Sequence, residues 1–391
     1  MRGFKMSYKA PISPLPPMGW NSYCTVNCDP SEKLLLDAAD ALCDLGLRDA
    51  GYVYVNLDDG WLEKERNANG EIVSRDAIFP HGMKYVTDYI HSKGLKAGTY
   101  LGCGFTTWNG DAGSLGHEYE DARKIAEWGF DYLKYDRHPV ESDPPRDTMS
   151  EYLKMGMAIR DCGRDIVYNL CEHGTTKPWL WASVCGSLWR IGKDVRDCFS
   201  SENTGCLGIL DIIDRFIAEA APYSHLGGFN DPDMLVVGMH EQNDWMGPGM
   251  TDIEYRTNFA IWCVVAAPLL IGADPNHLDS VALDILKNPR LIAINQDPLA
   301  MPAHRVSTED HGRELWVRQL SDFRWVSAII NRAHEKREYS YKWEELDLSP
   351  AVPMKITDAW TGEVLAEKVC GEFAVSLEAH DTAVLVMTPV L

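Results

Sequence analysis

The chain has 391 residues, of which 45% are hydrophobic, 10% aromatic and 24% charged, a balance that buries a sizeable core and excludes a disordered chain. Its 37 basic and 58 acidic residues give a net charge of −21, which repels nucleic-acid phosphates and anionic lipid and excludes them as partners. At about 150 residues per domain the length predicts two or three domains, although a single (β/α)8 barrel uses about 250 residues.

No apolar run reaches the roughly 20 residues of a membrane helix, and the opening MRGFKMSYKAPISPLPPMGW has no apolar stretch behind its basic start. The sequence is therefore expected to be neither secreted nor anchored. Eleven cysteines form no CxxC pair, so structural zinc is not expected, and most read as reduced, buried small hydrophobes.

In chain order, a first strand is predicted near 17–21. Asp29 then caps a helix with Pro30 at its first position and Glu32 at its third. GYVYVNLDDGW at 51–61 reads as a strand ending in acids, and KAGTYLG at 96–102 and FDYLKYD at 130–136 look alike. Between the last two, Ala122, Ile125 and Ala126 share one helix face over 118–128, with Gly129 as the stop. Further strands are predicted near 166–170, 186–190, 233–237 and 267–271. Eight strands with intervening helices suggest a parallel (β/α)8 barrel; a doubly wound open sheet would want a GxGxxG after its first strand, and there is none. From about residue 305, ELWVRQL, RWVSAIIN, FAVSLEA and TAVLVM are short and β-rich. The expected division is a catalytic barrel over 1–304 and an antiparallel, β-sandwich-like domain over 305–391.

Side chains at the C-terminal ends of barrel strands surround one pocket. Following the strands to their ends gives Trp20, Asp58, Asp59, Tyr100, Lys134, Asp136, Glu172, Arg190, Asp194 and Asp233. Carboxylates and a lysine bridge vicinal hydroxyls, and an aromatic face covers the apolar side of a pyranose, so the set suits a neutral polyol. Two of the carboxylates are then available for glycoside hydrolysis. Any one of these residues alone has a plainer reading: an Asp after a strand caps a helix, Trp20 fills a core, and Lys134 and Asp136 form a salt bridge. Convergence of several strand ends carries the argument. No His-x-His, HExxH, GxSxG or GxxxxGK[ST] string occurs, so neither a metal nor a cofactor is expected.

At these residues the sequence resembles glycoside hydrolase family 27, the α-galactosidases and α-N-acetylgalactosaminidases. PPMGWNS, YVNLDDGW, HSKGLKAGTY, WGFDYLKYD, NLCEHG, LWRIGKDV, GGFNDPDML, APLLIGAD and IAINQDPL run in family order through residues 16–299. The resemblance implies cleavage of terminal α-galactosyl groups with retention, Asp136 as nucleophile and Asp194 as acid/base. Trp20, Asp58, Asp59, Tyr100, Lys134, Glu172, Arg190 and Asp233 match sugar-binding positions. A retaining pair stands about 5–5.5 Å apart. Glu172, where N-acetylgalactosaminidases carry a small residue, implies a free 2-hydroxyl. The substrate class is a small oligosaccharide such as melibiose or raffinose, and family members are often homo-oligomers. A β-L-arabinopyranosidase, a transglycosylase and a non-catalytic sugar-binding barrel are the alternatives.

Three departures stand out. Many members have DDCW where this chain has Gly60, and a second cysteine where it has His138, with Trp108 in place of that cysteine's partner. Two family disulfides therefore cannot form, which implies a reducing compartment and a cytoplasmic enzyme. His173 stands where CEWG-type members have Trp.

Overall fold

The computed structural model describes residues 11–138, 147–201, 207–240, 242–308 and 312–390. The opening decapeptide and Cys206 lie outside them. Eight parallel strands, β1 (Met18–Asn21), β2 (Tyr54–Asn56), β3 (Lys96–Gly102), β4 (Tyr132–Asp136), β5 (Val167–Cys171), β6 (Leu188–Arg190), β7 (Phe229–Asp231) and β8 (Leu269–Ile271), form one sheet. Its order, β7-β6-β5-β4-β3-β2-β1-β8, follows the chain around a curled (β/α)8 barrel.

The seventh strand is a correction. It occupies Phe229–Asp231 rather than 233–237, because Pro232 has no N–H to donate and Asp233 turns to φ 83°. The apolar run that suggested the later strand is buried all the same. Leu235 N donates to the Leu270 carbonyl and Gly272 N to the Leu235 carbonyl, both at 2.8 Å, so this segment closes the sheet against β8.

The helix predicted over 118–128 runs Glu118–Trp128, and Gly129 at φ 97° ends it with its N–H on the Ile125 carbonyl. The earlier helix departs from expectation at its start. It spans Glu32–Asp44 and is capped by Ser31, whose hydroxyl accepts from Leu34 N at 3.2 Å, rather than by Asp29. Ser31 has the extended backbone a cap needs, and Glu32 turns instead to His81 N at 3.1 Å.

Beyond the helix Pro289–Asn295 the chain turns to antiparallel structure. Strands β9 (His304–Thr308), β10 (Arg313–Gln319), β11 (Trp325–Asn331), β13 (Met354–Asp358), β14 (Val364–Val369) and β16 (Thr382–Pro389) form a six-stranded sheet. Strands β12 (Arg337–Lys342) and β15 (Glu372–Leu377) form a second, two-stranded one. Alternation along β10 sorts its side chains. Leu315 and Val317 enter the core between the sheets, while Trp316 packs into the barrel's core. On that barrel side Arg318 Nη1 donates to the carbonyls of Cys263, Val264 and Ile294 at 3.2, 3.3 and 2.9 Å. These carbonyls end the helices Asp252–Val264 and Pro289–Asn295, whose last turns lack intrahelical donors. Among the described residues, no helix is long and apolar enough to cross a membrane.

Candidate active site

Strand β4 shows how the sequence aims its side chains. Period-two alternation sends Tyr132, Lys134 and Asp136 to the barrel interior, with Asp136 last, at the C-terminal rim. Tyr100 lies opposite Lys134 on β3, and its hydroxyl donates to Asp136 Oδ2 at 3.1 Å. Lys134 Nζ sits 5.5 Å from the Tyr100 ring centre and 5.4 Å from that of Tyr23. Burial opposes the charge on Lys134, but the neighbouring Asp58 carboxylate outweighs it, so the ammonium is held well above its ordinary range.

Asp58 and Asp59 follow β2 and are both buried. Asp58 Oδ2 accepts from Asn21 Nδ2 at 2.8 Å and from Lys134 Nζ at 2.9 Å. Asp59 accepts from Gly60 N at 2.8 Å and Asn109 N at 2.9 Å, yet burial still pushes its carboxyl up to about 6. The glycine that follows them is required. Gly60 has φ 96°, and a Cβ there would lie 2.1 Å from the Cys28 carbonyl oxygen.

Asp136 and Asp194 face one another across His173. His173 Nε2 lies 3.2 Å from Asp136 Oδ1, and Nδ1 lies 3.7 Å from Asp194 Oδ1. Burial would raise the Asp136 carboxyl, but His173 and the more distant Lys134 hold it below the usual range. Burial likewise disfavours a charged Asp194, and Arg190 Nη2, 2.9 Å from its Oδ1, overcomes this with His173 and Lys134. These neighbours therefore favour the ionised form of both carboxyls. Asp136 is enclosed, whereas the Asp194 side chain is 34% exposed.

The site has an inner and an outer chamber. The inner one, about 230 Å³, is lined by Asp58, Asp59, Tyr100, Lys134, Asp136 and Asp194, together with Tyr23, Trp108, His173 and Arg196. The outer one, about 940 Å³, shares Trp108, His173, Asp194 and Arg196 and adds Glu172, Arg137 and Lys193. Drug-sized ligands fill clefts of roughly 300–1,000 Å³, so the inner chamber suits one sugar ring.

Six of the ten residues predicted for the site thus line the inner chamber, and four do not. Trp20 has no exposed surface; its Nε1 donates to the Ala273 carbonyl at 3.0 Å and the indole lies within the core. Arg190 and Asp233 are buried behind Asp194, with Arg190 Nη2 3.1 Å from Asp233 Oδ2. Glu172 faces the outer chamber, where its carboxylate accepts from Thr176 N and Oγ1, both at 3.0 Å. Burial pushes Glu172 up to about 7. Tyr23 and Arg196 were not singled out from the sequence. Both lie on connections just past strand ends, Tyr23 three residues beyond Trp20 and Arg196 two beyond Asp194.

At the rim, the Trp108 and His138 rings lie 3.8 Å apart at 37°, so ring contact fills the place where the family pairs cysteines. Asp136, Cys171 and His173 bring an oxygen, a sulfur and a nitrogen within 4.8 Å of one another. That trio suits a metal poorly. A ligating sulfur must be a thiolate, and burial raises the Cys171 thiol well above its ordinary range.

A polar chamber at the C-terminal rim of a (β/α)8 barrel, lined by carboxylates and a lysine and flanked by two further carboxylates, defines a glycoside hydrolase. The family model described as "Alpha galactosidase A" matches residues 15–297, and "Alpha galactosidase C-terminal beta sandwich domain" matches 310–387. The chain belongs to the α-galactosidases of glycoside hydrolase family 27. It is 38% identical to alpha-galactosidase 3 of Arabidopsis thaliana over 382 residues, covering 96% of this chain and 82% of that one. The crystal structure of α-galactosidase I from Mortierella vinacea superposes with a TM-score of 0.90 at 30% identity, over 96% of this chain and 97% of that one. The Saccharomyces cerevisiae α-galactosidase determined with raffinose superposes with a TM-score of 0.87 at 28% identity, over 98% and 100%.

Proposed function

We propose that the enzyme releases single terminal α-D-galactosyl residues from small oligosaccharides of the melibiose and raffinose type, with retention. The observation that carries this reading is the inner chamber. It is sized for one ring, is lined by the buried Asp58, Asp59 and Lys134, and shares Asp194 with the outer chamber. A chamber the size of one ring accepts the terminal sugar of a chain and leaves the rest to the outer chamber. Asp58, Asp59 and Lys134 accept and donate hydrogen bonds to the ring hydroxyls.

Asp136 attacks the anomeric carbon while Asp194 supplies a proton to the departing oxygen, giving a covalent galactosyl ester. Tyr100 and His173, hydrogen bonded to the two Asp136 oxygens, keep the nucleophile ionised and aimed. Water then attacks the anomeric carbon of the ester, the Asp136 carboxylate departs, and Asp194 takes the water's proton. The raffinose bound to the yeast relative supports the substrate class. For location we propose a reducing compartment, supported by Gly60, Trp108 and His138 at positions the family pairs through cysteine.

Hydrolysis of p-nitrophenyl α-galactoside, α-N-acetylgalactosaminide and β-L-arabinopyranoside, with the first-formed anomer followed by NMR, tests the reading. The α-galactoside is expected to be the best substrate and to release α-galactose first. No turnover of it, a faster arabinopyranoside, or β-galactose as first product would overturn the proposal. Asp136→Asn is expected to abolish turnover, whereas Asp194→Asn still releases an activated phenol.

A further inference from the structure

The first step needs a protonated Asp194, yet Asp194 lies against Arg190 and His173, which keep its carboxylate charged. A group that holds a proton and can reach Asp194 would supply it. His173 is placed for this. Its two ring nitrogens face the two carboxylates, Nε2 on Asp136 at 3.2 Å and Nδ1 on Asp194 at 3.7 Å. A neutral imidazole has one N–H and one lone pair, so only the imidazolium presents a donor to both.

The ring is held in this bridge by its surroundings. Trp108 packs edge-on against it, with centroids 6.2 Å apart at 83°, and His138 backs Trp108. Charged and titratable groups face it from each neighbouring element: Lys134 and Asp136 on β4 with Arg137 and His138 beyond, and Tyr100 on β3. Cys171 and Glu172 adjoin it at the end of β5, and Arg190, Lys193, Asp194 and Arg196 at the end of β6.

We infer that His173 is a positioning residue that stores the catalytic proton: as imidazolium it steadies Asp136 and passes its Nδ1 proton to Asp194, which delivers it to the departing oxygen. The inference rests on the assignment of Asp136 and Asp194 above. In the first step the Nδ1–H bond breaks and an O–H forms on Asp194. That O–H breaks as the leaving oxygen takes the proton and the glycosidic bond opens. Asp136 becomes a neutral ester as His173 becomes a neutral imidazole, so one buried positive and one buried negative charge disappear together. In the second step the attacking water gives its proton to Asp194 and thence to Nδ1, while the ester bond breaks and restores the Asp136 carboxylate.

Steady-state kinetics of wild type, His173→Phe and His173→Gln with melibiose and with 2,4-dinitrophenyl α-galactoside, across pH 4–9, test this. Melibiose needs its leaving oxygen protonated; dinitrophenolate does not. His173→Phe is expected to lower kcat on melibiose about 100-fold, within the 10²–10⁴ range of general acid catalysis. Its effect on the activated substrate should be at least tenfold smaller, and the alkaline limb of the melibiose profile should flatten. His173→Gln keeps an N–H toward Asp136 but stores no proton, and should resemble His173→Phe on melibiose. Equal losses on both substrates with an unchanged profile, or a Gln variant that restores melibiose turnover, would overturn the inference. A wild type that turns over neither substrate would instead sink the functional reading itself.

Discussion

Lys134 Nζ donates to Asp58 Oδ2 at 2.9 Å, and the same oxygen accepts from Asn21 Nδ2 at 2.8 Å. The buried ammonium is thus tied to Asp58, and it acts on Asp136 only through space. Lys134→Met would leave the Asp58 charge buried without a countercharge, a change that costs about 3–5 kcal/mol. Urea unfolding at pH 7 should show a loss in that range, and the double variant Lys134→Met with Asp58→Asn should recover part of it. A single-variant loss below about 1 kcal/mol would contradict the pairing.

On the functional reading above, Asp59 contacts the sugar, and that contact should depend on pH. Its carboxyl is pushed up to about 6 by burial, so it accepts from hydroxyls as a carboxylate only above that pH. Competitive inhibition by galactose should weaken as pH falls from 7 to 4.5, and a constant Ki would argue against the assignment. The sign for stability is opposite. A carboxyl whose folded value is raised contributes stability that is full below about pH 4, its unfolded value, and is lost as pH rises through about 6.

Gly60 joins backbone geometry to the site. Its φ of 96° and the 2.1 Å approach to the Cys28 carbonyl mean that Gly60→Ala must move backbone. A loss of at least about 2 kcal/mol is expected, together with a raised KM, because Asp59 accepts from Gly60 N. A variant of wild-type Tm and KM would show that the turn yields without cost.

Trp108, 52% exposed and tilted against the His138 ring, lines both chambers. On the functional reading above it meets the sugar that leaves. Aromatic contacts of this kind contribute about 0.5–1.5 kcal/mol, so Trp108→Ala should raise KM for raffinose several-fold more than KM for α-galactosyl fluoride, whose leaving group is one atom. Equal changes would place Trp108 outside that contact.

Much of the site is legible because barrel strands are short and end in the residues that matter. Asp58, Asp59, Tyr100, Lys134 and Asp136 sit on or just past strands whose apolar cores stand out in sequence. Strand β7 is harder to see. FND carries one apolar residue, while MLVV after it is more apolar and is buried, with Leu235 bridging to Ile271 to seal the sheet. Trp20 shows the converse: its place at a strand end is right, but alternation within a closed barrel sends the indole to the core. Tyr23 and Arg196 reach the chamber from connections, where no period marks the direction of a side chain. The His173 bridge needs three segments brought together, and no single string contains it.

Arg318 has a consequence for how the molecule comes apart. A side chain from the antiparallel part completes the ends of two barrel helices, so losing that part takes a donor from each of three carbonyls at the seam. The two parts should then melt as one cooperative unit, with a single calorimetric peak whose van't Hoff and calorimetric enthalpies agree. Arg318→Leu is the change expected to split it in two.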